Sequence, residues 1–563
     1  MLDPGQIAAH LNDRFRLLQQ RPQHATDRHR SLRAAVEWSH ELLSDQARQV
    51  FACLAVFAGS FTLDGAQAVA GGDVLHAVTE LVDKSLLLRD PAGAGVARYR
   101  YLETLRLYAL DQLTHGGRER DARMAHLRFH QELIRQATPH LDGPHELAWR
   151  RRLEAEEHEF DAALDWTRAH APVAGLRLAV SLRPYWFAQS RGQRGAAALM
   201  SALDAAPKAP PLDRARALAF AAELSADQGD AREAPGWAQR AITIFRRAGD
   251  RRGQATAQRA LGSALLNSGQ IERADRSTQD AIHTFDDLGD VRDGLEARYL
   301  RGSVAVQSAG YEQALLLYTE CLAGWTRLGS PRGRARSLRM LGAVACYQGA
   351  LEAADRYCEE SLALFGALED DPSVTHAKST LADVRRLSGK SAQAQEIYEE
   401  VLEQFRSFGD RRCTGSVLRN LGVLACGRQD HESATSLFLD AMSVRYELGD
   451  DTGVAEVLEG LAGPVLAKGE LRGAAVLLSA ASSIRQTGHV PPAPADQEMI
   501  SQHLAELRRE LGVTNFRAAW SEGATLDVDA AVAYVRRTVT GVSYAGHRKP
   551  FGSAHPNMPG IRS

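Results

Sequence analysis

Lysine is almost missing from this 563-residue chain: only six of its 67 basic residues are Lys and the rest are Arg, a bias of codon composition more than of chemistry. Cysteine is equally sparse, with six residues at positions 53, 321, 346, 358, 413 and 426. None of them forms a CxxC pair or a Cys/His cluster of zinc-like spacing, so they read as reduced, mostly structural thiols with no metal site. No run of about 18 apolar residues occurs, which argues against a membrane-spanning helix. Asp3, His10, Asp13, Arg14 and Arg16 interrupt the first twenty residues, leaving no signal-peptide core. A cytoplasmic location is expected. Charge of one sign is not in excess either: 67 basic against 70 acidic residues give a net charge of −3. Nothing global therefore advertises nucleic acid or an anionic membrane as a partner. Aromatics make up 6% while Ala is abundant, which favours close-packed helices over a β-sandwich. Apolar residues at 44% and charged residues at 24% exclude wholesale disorder.

What is present is a repeat. The phrases RAGD, DLGD, RLGS, ALED, SFGD and ELGD end at Asp250, Asp290, Ser330, Asp370, Asp410 and Asp450, 40 residues apart each time. Leu261, Leu341, Leu381, Leu421 and Leu461 share that register; one copy departs, with Arg301 at this position. The next residue is always small: Gly262, Gly302, Gly342, Ala382, Gly422 and Ala462. A mid-copy Gly recurs at 269, 310, 349, 389 and 469, and an unbroken Ala column runs through Ala274, Ala314, Ala354, Ala394, Ala434 and Ala474. Two helices of about 14 residues joined by such a turn cannot bury their apolar faces alone, so neighbouring copies must stack. The small column marks where helices cross too closely for a larger side chain. The Gly-Asp ending supplies a helix stop and a polar linker. The Leu-Gly pair, the Ala thirteen residues on and a further small residue (Ala281, Ala441) resemble the tetratricopeptide repeat, its period lengthened to 40 by a six-residue connection. Two degenerate copies precede, between 176 and 250.

On either side the pattern changes. Ile7, Leu11, Phe15 and Leu18 lie at helical spacing within residues 1–20. Ser31 and Ser44 cap two helices, FTLDGAQAVAG and DVLHAVTELVDKSLLLRD follow, and strand-like runs Ser85–Arg89 and Val96–Tyr101 flank PAGAG. Three helices and a two-stranded wing make a winged-helix domain. The overall expectation is a mainly α fold, a small winged-helix domain followed by a tetratricopeptide-like α-solenoid. The boundaries are 31–113 for the winged helix, 114–175 for a helical bridge, 176–485 for the repeats, 486–540 for a helical cap and 541–563 for a disordered tail.

The phrases LNDRFRLL (11–18), RHRSLRAAVEWSHELLS (28–44), FACLAVFAGSFTLDGAQAV (51–69), LVDKSLL (81–87) and YRYLETLRLYAL (99–110) resemble the C-terminal half of AfsR- and LuxR-type regulators of the STAND (NB-ARC-like) ATPase class. The resemblance implies that residues 1–30 are a residual helix of an NTPase module, whose nucleotide-binding domain lies immediately upstream in family members. It also implies that the repeats perceive a signal and the winged helix relays it to a nucleotide switch. No P-loop is present: the near match Gly389-Lys390-Ser391 has Val384 where the first Gly belongs and sits on a repeat turn with no preceding strand. Where many relatives carry a nucleotide-sensing His-Asp, this chain has Leu102-Glu103. Arg28, His29 and Arg30 read as a solvated turn that could face a phosphate if a partner supplied one. No cofactor is expected; ATP or ADP would enter only with an NTPase domain supplied upstream or in trans.

Enzymatic motifs are absent: there is no HExxH, no GxSxG and no local Cys/His pairing. Glu156-Glu157 and Asp286-Asp287 read as solvated helical charge, and the His residues as scattered. The presumptive recognition helix, 73–84, carries Asp73, Glu80 and Asp83 against Lys84 alone, so direct DNA binding is not expected. What remains is the concave face lined by the first helix of each copy. There the register aligns Arg259, Tyr299, Arg339, Ser379 and Arg419, with Arg336 and His376 three residues ahead of their copies' members and Tyr347 about two turns beyond Arg339. Arginines among aromatics suit an acidic peptide, a C-terminal carboxylate or an anionic small molecule. The expected function is a non-catalytic regulatory and interaction module that binds a protein, peptide or small ligand on its repeats. The alternatives are a stand-alone tetratricopeptide scaffold and an ATPase-regulator fragment cut short at its N-terminus.

Overall fold

The computed structural model describes residues 36–90, 96–189, 191–227, 232–488 and 490–539. The expected helix within 1–30, the turn at Arg28–Arg30 and the tail 541–563 lie outside them. The chain divides into two compact units, one formed by residues up to Ala137 together with Arg151–Ala171, the other by Thr138–Arg150 together with Pro172 onward. The stretch 114–175 is thus shared between the two.

In the first unit the order is α1 (Asp45–Leu54), β1 (Ser60–Thr62), α2 (Leu63–Ala70), α3 (Leu75–Asp83), β2 (Leu88–Asp90), β3 (Arg98–Arg100), α4 (Glu103–His115) and α5 (Glu119–Ala137). Ser44 and Thr62 cap α1 and α2, each accepting from a backbone N–H three residues on. The wing has three strands where two were expected: the sheet order is β1-β3-β2, antiparallel throughout, with Phe61 opposite Tyr99 and Arg89 on its other side. Three residues of β1 between a turn and a helix give no alternation to read, which is why it escapes the sequence. Phe51, Leu54, Phe57, Phe61, Leu81 and Leu87 close the core beneath. The Tyr101 hydroxyl donates to the Phe51 carbonyl at 2.6 Å.

The helices α6 (Glu146–Glu154) and α7 (Glu157–His170) follow, and α7 returns to the first unit. The side chain of Glu159 there accepts from the backbone N–H groups of Ala58 (3.0 Å) and Gly59 (2.6 Å) and pairs with His126 at 2.9 Å. Glu156 was expected in solvent. It is instead buried against Arg98 at 2.6 Å, with His130 at 3.4 Å. Arg98 and the two imidazoles supply the partners that a buried carboxylate requires.

The second unit is a stack of helical hairpins. It runs α8 (Pro172–Ser181), α9 (Arg183–Ala188), α10 (Gly192–Ala205), α11 (Pro211–Asp227) and α12 (Ala234–Ala248), then six regular copies. The first helices of those copies are α13 (Arg251–Asn267), α15 (Val291–Gln307), α17 (Pro331–Tyr347), α19 (Asp371–Leu387), α21 (Arg411–Gly427) and α23 (Asp451–Ala467). The second helices are α14 (Ile271–Asp287), α16 (Tyr311–Arg327), α18 (Leu351–Ala367), α20 (Ser391–Phe408), α22 (His431–Leu448) and α24 (Leu471–Gly488). The helices are 17 or 18 residues long, not about 14, and only two or three residues separate them. The longer period is therefore taken up by longer helices and not by a six-residue connection. The terminal Asp or Ser is the reason: Asp250, Asp290, Ser330, Asp370, Asp410 and Asp450 each cap the next helix by accepting from the N–H three residues on. What reads as linker is helix N-cap.

The Ala column is fully buried at all six positions. A Cβ on Gly262 would lie 2.6 Å from the Thr278 methyl, and one on Gly422 would lie 2.9 Å from the Phe438 ring. The copy with Arg301 keeps register: Gly302 faces the Tyr318 ring, and Arg301 turns to Asp275 at 2.9 Å. Beyond the copies, α25 (Pro494–Ala524) is broken at Gly512 and followed by α26 (Val528–Val539). Gly523 lets α25 approach α24 so closely that a Cβ would meet the Val476 carbonyl at 2.4 Å. Among the described residues no helix is long and apolar enough to cross a membrane.

Candidate functional site in the repeat groove

First helices of successive copies touch one another directly: α11 with α13, α13 with α15, α17 with α19, α21 with α23. This places them on the inner side of the stack. Arg412, at the start of α21, donates to the Asn267 side chain at the end of α13 at 2.5 Å, so the inner surface spans five copies and meets itself.

The candidate residues all lie on these helices, and most are already engaged. Arg259 is buried and held by Glu223 at 2.6 Å, and Glu223 also takes Arg183 at 2.5 Å. Burial works against ionising Glu223, but the two guanidinium groups outweigh it and hold the carboxyl down at about 2. Arg419 is buried at the other end, paired with Asp496 of α25 at 2.5 Å. Arg336 is paired with Glu296 at 2.9 Å and lies over the Tyr299 ring, 4.3 Å from its centroid, with the Phe187 ring at 5.7 Å. Tyr347 packs on Tyr311, ring centroids 5.3 Å apart, and burial together with Asp383 and Glu456 pushes its hydroxyl up.

Arg339 is different. Its single hydrogen bond goes to the Tyr299 hydroxyl at 3.3 Å, and among the described residues it has no carboxylate partner. The structure therefore joins Arg336, Tyr299 and Arg339 into one cluster and leaves Arg259 and Arg419 outside it, each neutralised. The expected row of available cations reduces to one. Glu296, one period before Arg336, is a partner the repeat register offers, whereas Glu223 and Asp496 were not legible, because the register says nothing of charges from degenerate or non-repeating elements.

His376 sits between two residues that the sequence did not connect with it. Its Nδ1 is 3.5 Å from Cys413 Sγ and its Nε2 is 3.4 Å from Asp410 Oδ2. One donor atom from each of the three lies within 4.8 Å of the others. Spacings of 34 and 37 residues hide this convergence from any local motif.

The P-loop-like trio behaves as a turn: Gly389 has φ +75° and Lys390 precedes the first residue of α20. On the presumptive recognition helix α3, Glu80 is occupied by the Ser44 N–H and hydroxyl, and Lys84 donates to the Leu42 carbonyl at 2.5 Å.

The family models match in two places. A winged helix-turn-helix domain covers residues 43–114 and a tetratricopeptide repeat covers 373–447. The chain is a winged helix joined to tetratricopeptide repeats. It is 35% identical over 283 residues to the "Putative HTH-type transcriptional regulator Rv0890c" of Mycobacterium tuberculosis, covering 48% of this chain and 31% of that protein. It is 44% identical over 136 residues to the "Uncharacterized protein Rv0894" of the same organism, covering 23% of this chain and 34% of that protein. The chain thus spans about a third of the length of these curated relatives. Among solved structures, the Signal Transduction ATPase with Numerous Domains (STAND) protein with a tetratricopeptide repeat sensor from Pyrococcus horikoshii aligns with a TM-score of 0.46 and 14% identity, covering 86% of this chain and 65% of that one. A Rap protein complexed with competence and sporulation factor aligns with a TM-score of 0.46 and 13% identity, covering 59% of this chain and 99% of that one.

Proposed function

We propose that this winged-helix and tetratricopeptide chain is the sensing and interaction part of a transcriptional regulator and performs no catalysis of its own. The kinship with a protein named as a transcriptional regulator supports the regulatory half of this reading. The groove supports the other half, and one observation carries it: Arg339 is a guanidinium with a tyrosine hydroxyl beside it and, among the described residues, no acid to answer it, whereas Arg259, Arg336 and Arg419 are all paired. A cation left open on a polar inner surface suits a ligand that brings one carboxylate, from a peptide side chain, a free C-terminus or a small acid. A run of acids suits it less, because Glu223, Glu296 and Asp496 already line the same surface. The reading assigns no nucleotide to this chain; ATP or ADP would enter only with an NTPase domain supplied upstream or in trans. It assigns no DNA contact to α3, whose lysine is used internally.

Peptides enriched on the full chain from a random displayed library test this. They are expected to share a carboxylate, and Arg339→Glu is expected to weaken their binding by roughly tenfold or more, the worth of one charge-assisted hydrogen bond. The melting temperature should not change, since Arg339 holds nothing but Tyr299. Equal binding by the variant would contradict the reading.

A further inference from the structure

We propose that His376, Asp410 and Cys413 form a site for a divalent transition-metal ion of the zinc class, independent of any groove ligand. The three residues come from two successive first helices: His376 from α19, Asp410 as the N-cap of α21, and Cys413 from the first turn of α21. Tetrahedral zinc bonds of 2.0–2.3 Å place donors about 3.3–3.8 Å apart. The Nδ1–thiol separation of 3.5 Å already falls in that range, and one donor atom from each residue lies within 4.8 Å of the others. The 3.4 Å contact to the carboxylate is made by the other ring nitrogen, Nε2, so His376 must turn to aim a single nitrogen at a common centre.

The carboxylate is preset. Asp410 Oδ1 accepts from the Cys413 N–H at 2.9 Å in the cap, which leaves Oδ2 facing His376. The imidazole is braced from behind by the Phe405 ring, centroids 5.0 Å apart. Two guanidinium groups act on the thiol: Arg412, which is spent on Asn267, and Arg339, which acts on His376 as well.

The repeat itself marks this junction as exceptional. At the position of Cys413 three copies have Gly253, Gly333 and Gly453, and a Cβ on Gly253 or Gly333 would lie within 2.5 Å of the preceding aromatic. At the position of His376 the other copies have Thr256, Glu296, Arg336, Ser416 and Glu456. Among the six copies, only this junction brings sulfur, nitrogen and oxygen donors together. Cys413 packs against the core beside it, but packing does not ask for an imidazole and a carboxylate next to the thiol.

The donor set selects the ion. A thiolate and an imidazole beside one carboxylate suit zinc and its neighbours, whereas magnesium and calcium take oxygen only. On binding, the thiol proton leaves to solvent, and thiolate plus carboxylate balance the two positive charges. Three protein donors leave a fourth position for water.

Cobalt(II), as a spectroscopic stand-in for zinc, tests this on the metal-free full chain. One equivalent should bind at micromolar concentration with a thiolate-to-metal charge-transfer band, and zinc should displace it. Cys413→Ser should abolish the band, and His376→Ala should weaken binding at least tenfold. Asp410→Asn, which retains the cap, should weaken it as well. Cys426→Ser should change nothing, and circular dichroism melts establish that each variant is folded. No saturable uptake, a band that survives Cys413→Ser or disappears in Cys426→Ser, or affinity unmoved by His376→Ala would overturn the proposal.

Discussion

Replacing Arg332 with Met is expected to destabilise the repeat unit by about 3–5 kcal/mol, the cost of removing one member of a buried ion network. Arg332 is buried between two acids: Glu146 accepts from its Nε at 2.6 Å, and Asp370 pairs with its Nη1. Glu146 has no exposed surface, and burial already raises its pKa despite the guanidinium. Without Arg332, two carboxylates face each other in a dry site. Glu146 belongs to the short segment Thr138–Arg150, which lies along the turns between copies. In that segment Arg150 donates to the Leu368 and Glu369 carbonyls at 2.8 and 2.7 Å, and Asp142 meets Ser330 and Arg292. Loss of Arg332 should therefore free this segment and the start of α17, readable as faster hydrogen exchange in both. Because the orphaned acids would bind protons on folding, the deficit should shrink as pH is lowered from 7 toward 5. Arg252→Met, at an exposed pair with Asp290 at 2.7 Å, serves as the control and should change stability by about 0.5 kcal/mol or less. Equal effects in the two variants would mean that the Arg332 network is not what holds the segment.

The first unit should be sensitive to acid. His126 is buried, and burial, followed by the adjacent His130, lowers its pKa to about 4, against the pull of Glu159. Between pH 6.5 and about 4 the unfolded chain takes up a proton that the folded chain refuses, so stability falls as pH falls, by up to about 1.4 kcal/mol per pH unit. Glu159 works in the same direction at lower pH. Burial opposes its ionisation, but His126 and the Ala58 and Gly59 N–H groups hold its pKa below normal, so its contribution is lost as pH falls below the unfolded carboxyl value. His126→Gln keeps a donor for Glu159 and removes the titration. Its stability between pH 4 and 6.5 should therefore be flatter than that of the wild type, as measured by urea unfolding. Parallel profiles would contradict the assignment.

How far the sequence reached depended on whether a feature repeats. The hairpins were legible because Gly262 against Thr278 and Gly422 against Phe438 impose the same crossing in each copy. Helix ends were misjudged, since Asp290 or Asp410 reads as polar linker until its cap bond is seen. The groove was half legible. The register aligned Arg259, Arg339 and Arg419, but their fates differ because Glu223 and Asp496 answer two of them from outside that stripe. Glu156 was misread as solvated because its partners Arg98 and His130 come from elements 58 and 26 residues away. His376, Asp410 and Cys413 share no motif and meet only where the start of α21 approaches α19.

Whether the inner face of the first helices is the working surface can be read directly by hydrogen exchange, comparing the free chain with the chain saturated by a library-selected peptide. Protection is predicted on α15 and α17, around Tyr299 and Arg339, with α16 and α18 unchanged. Protection confined to the second helices, or to the winged helix, would contradict the account.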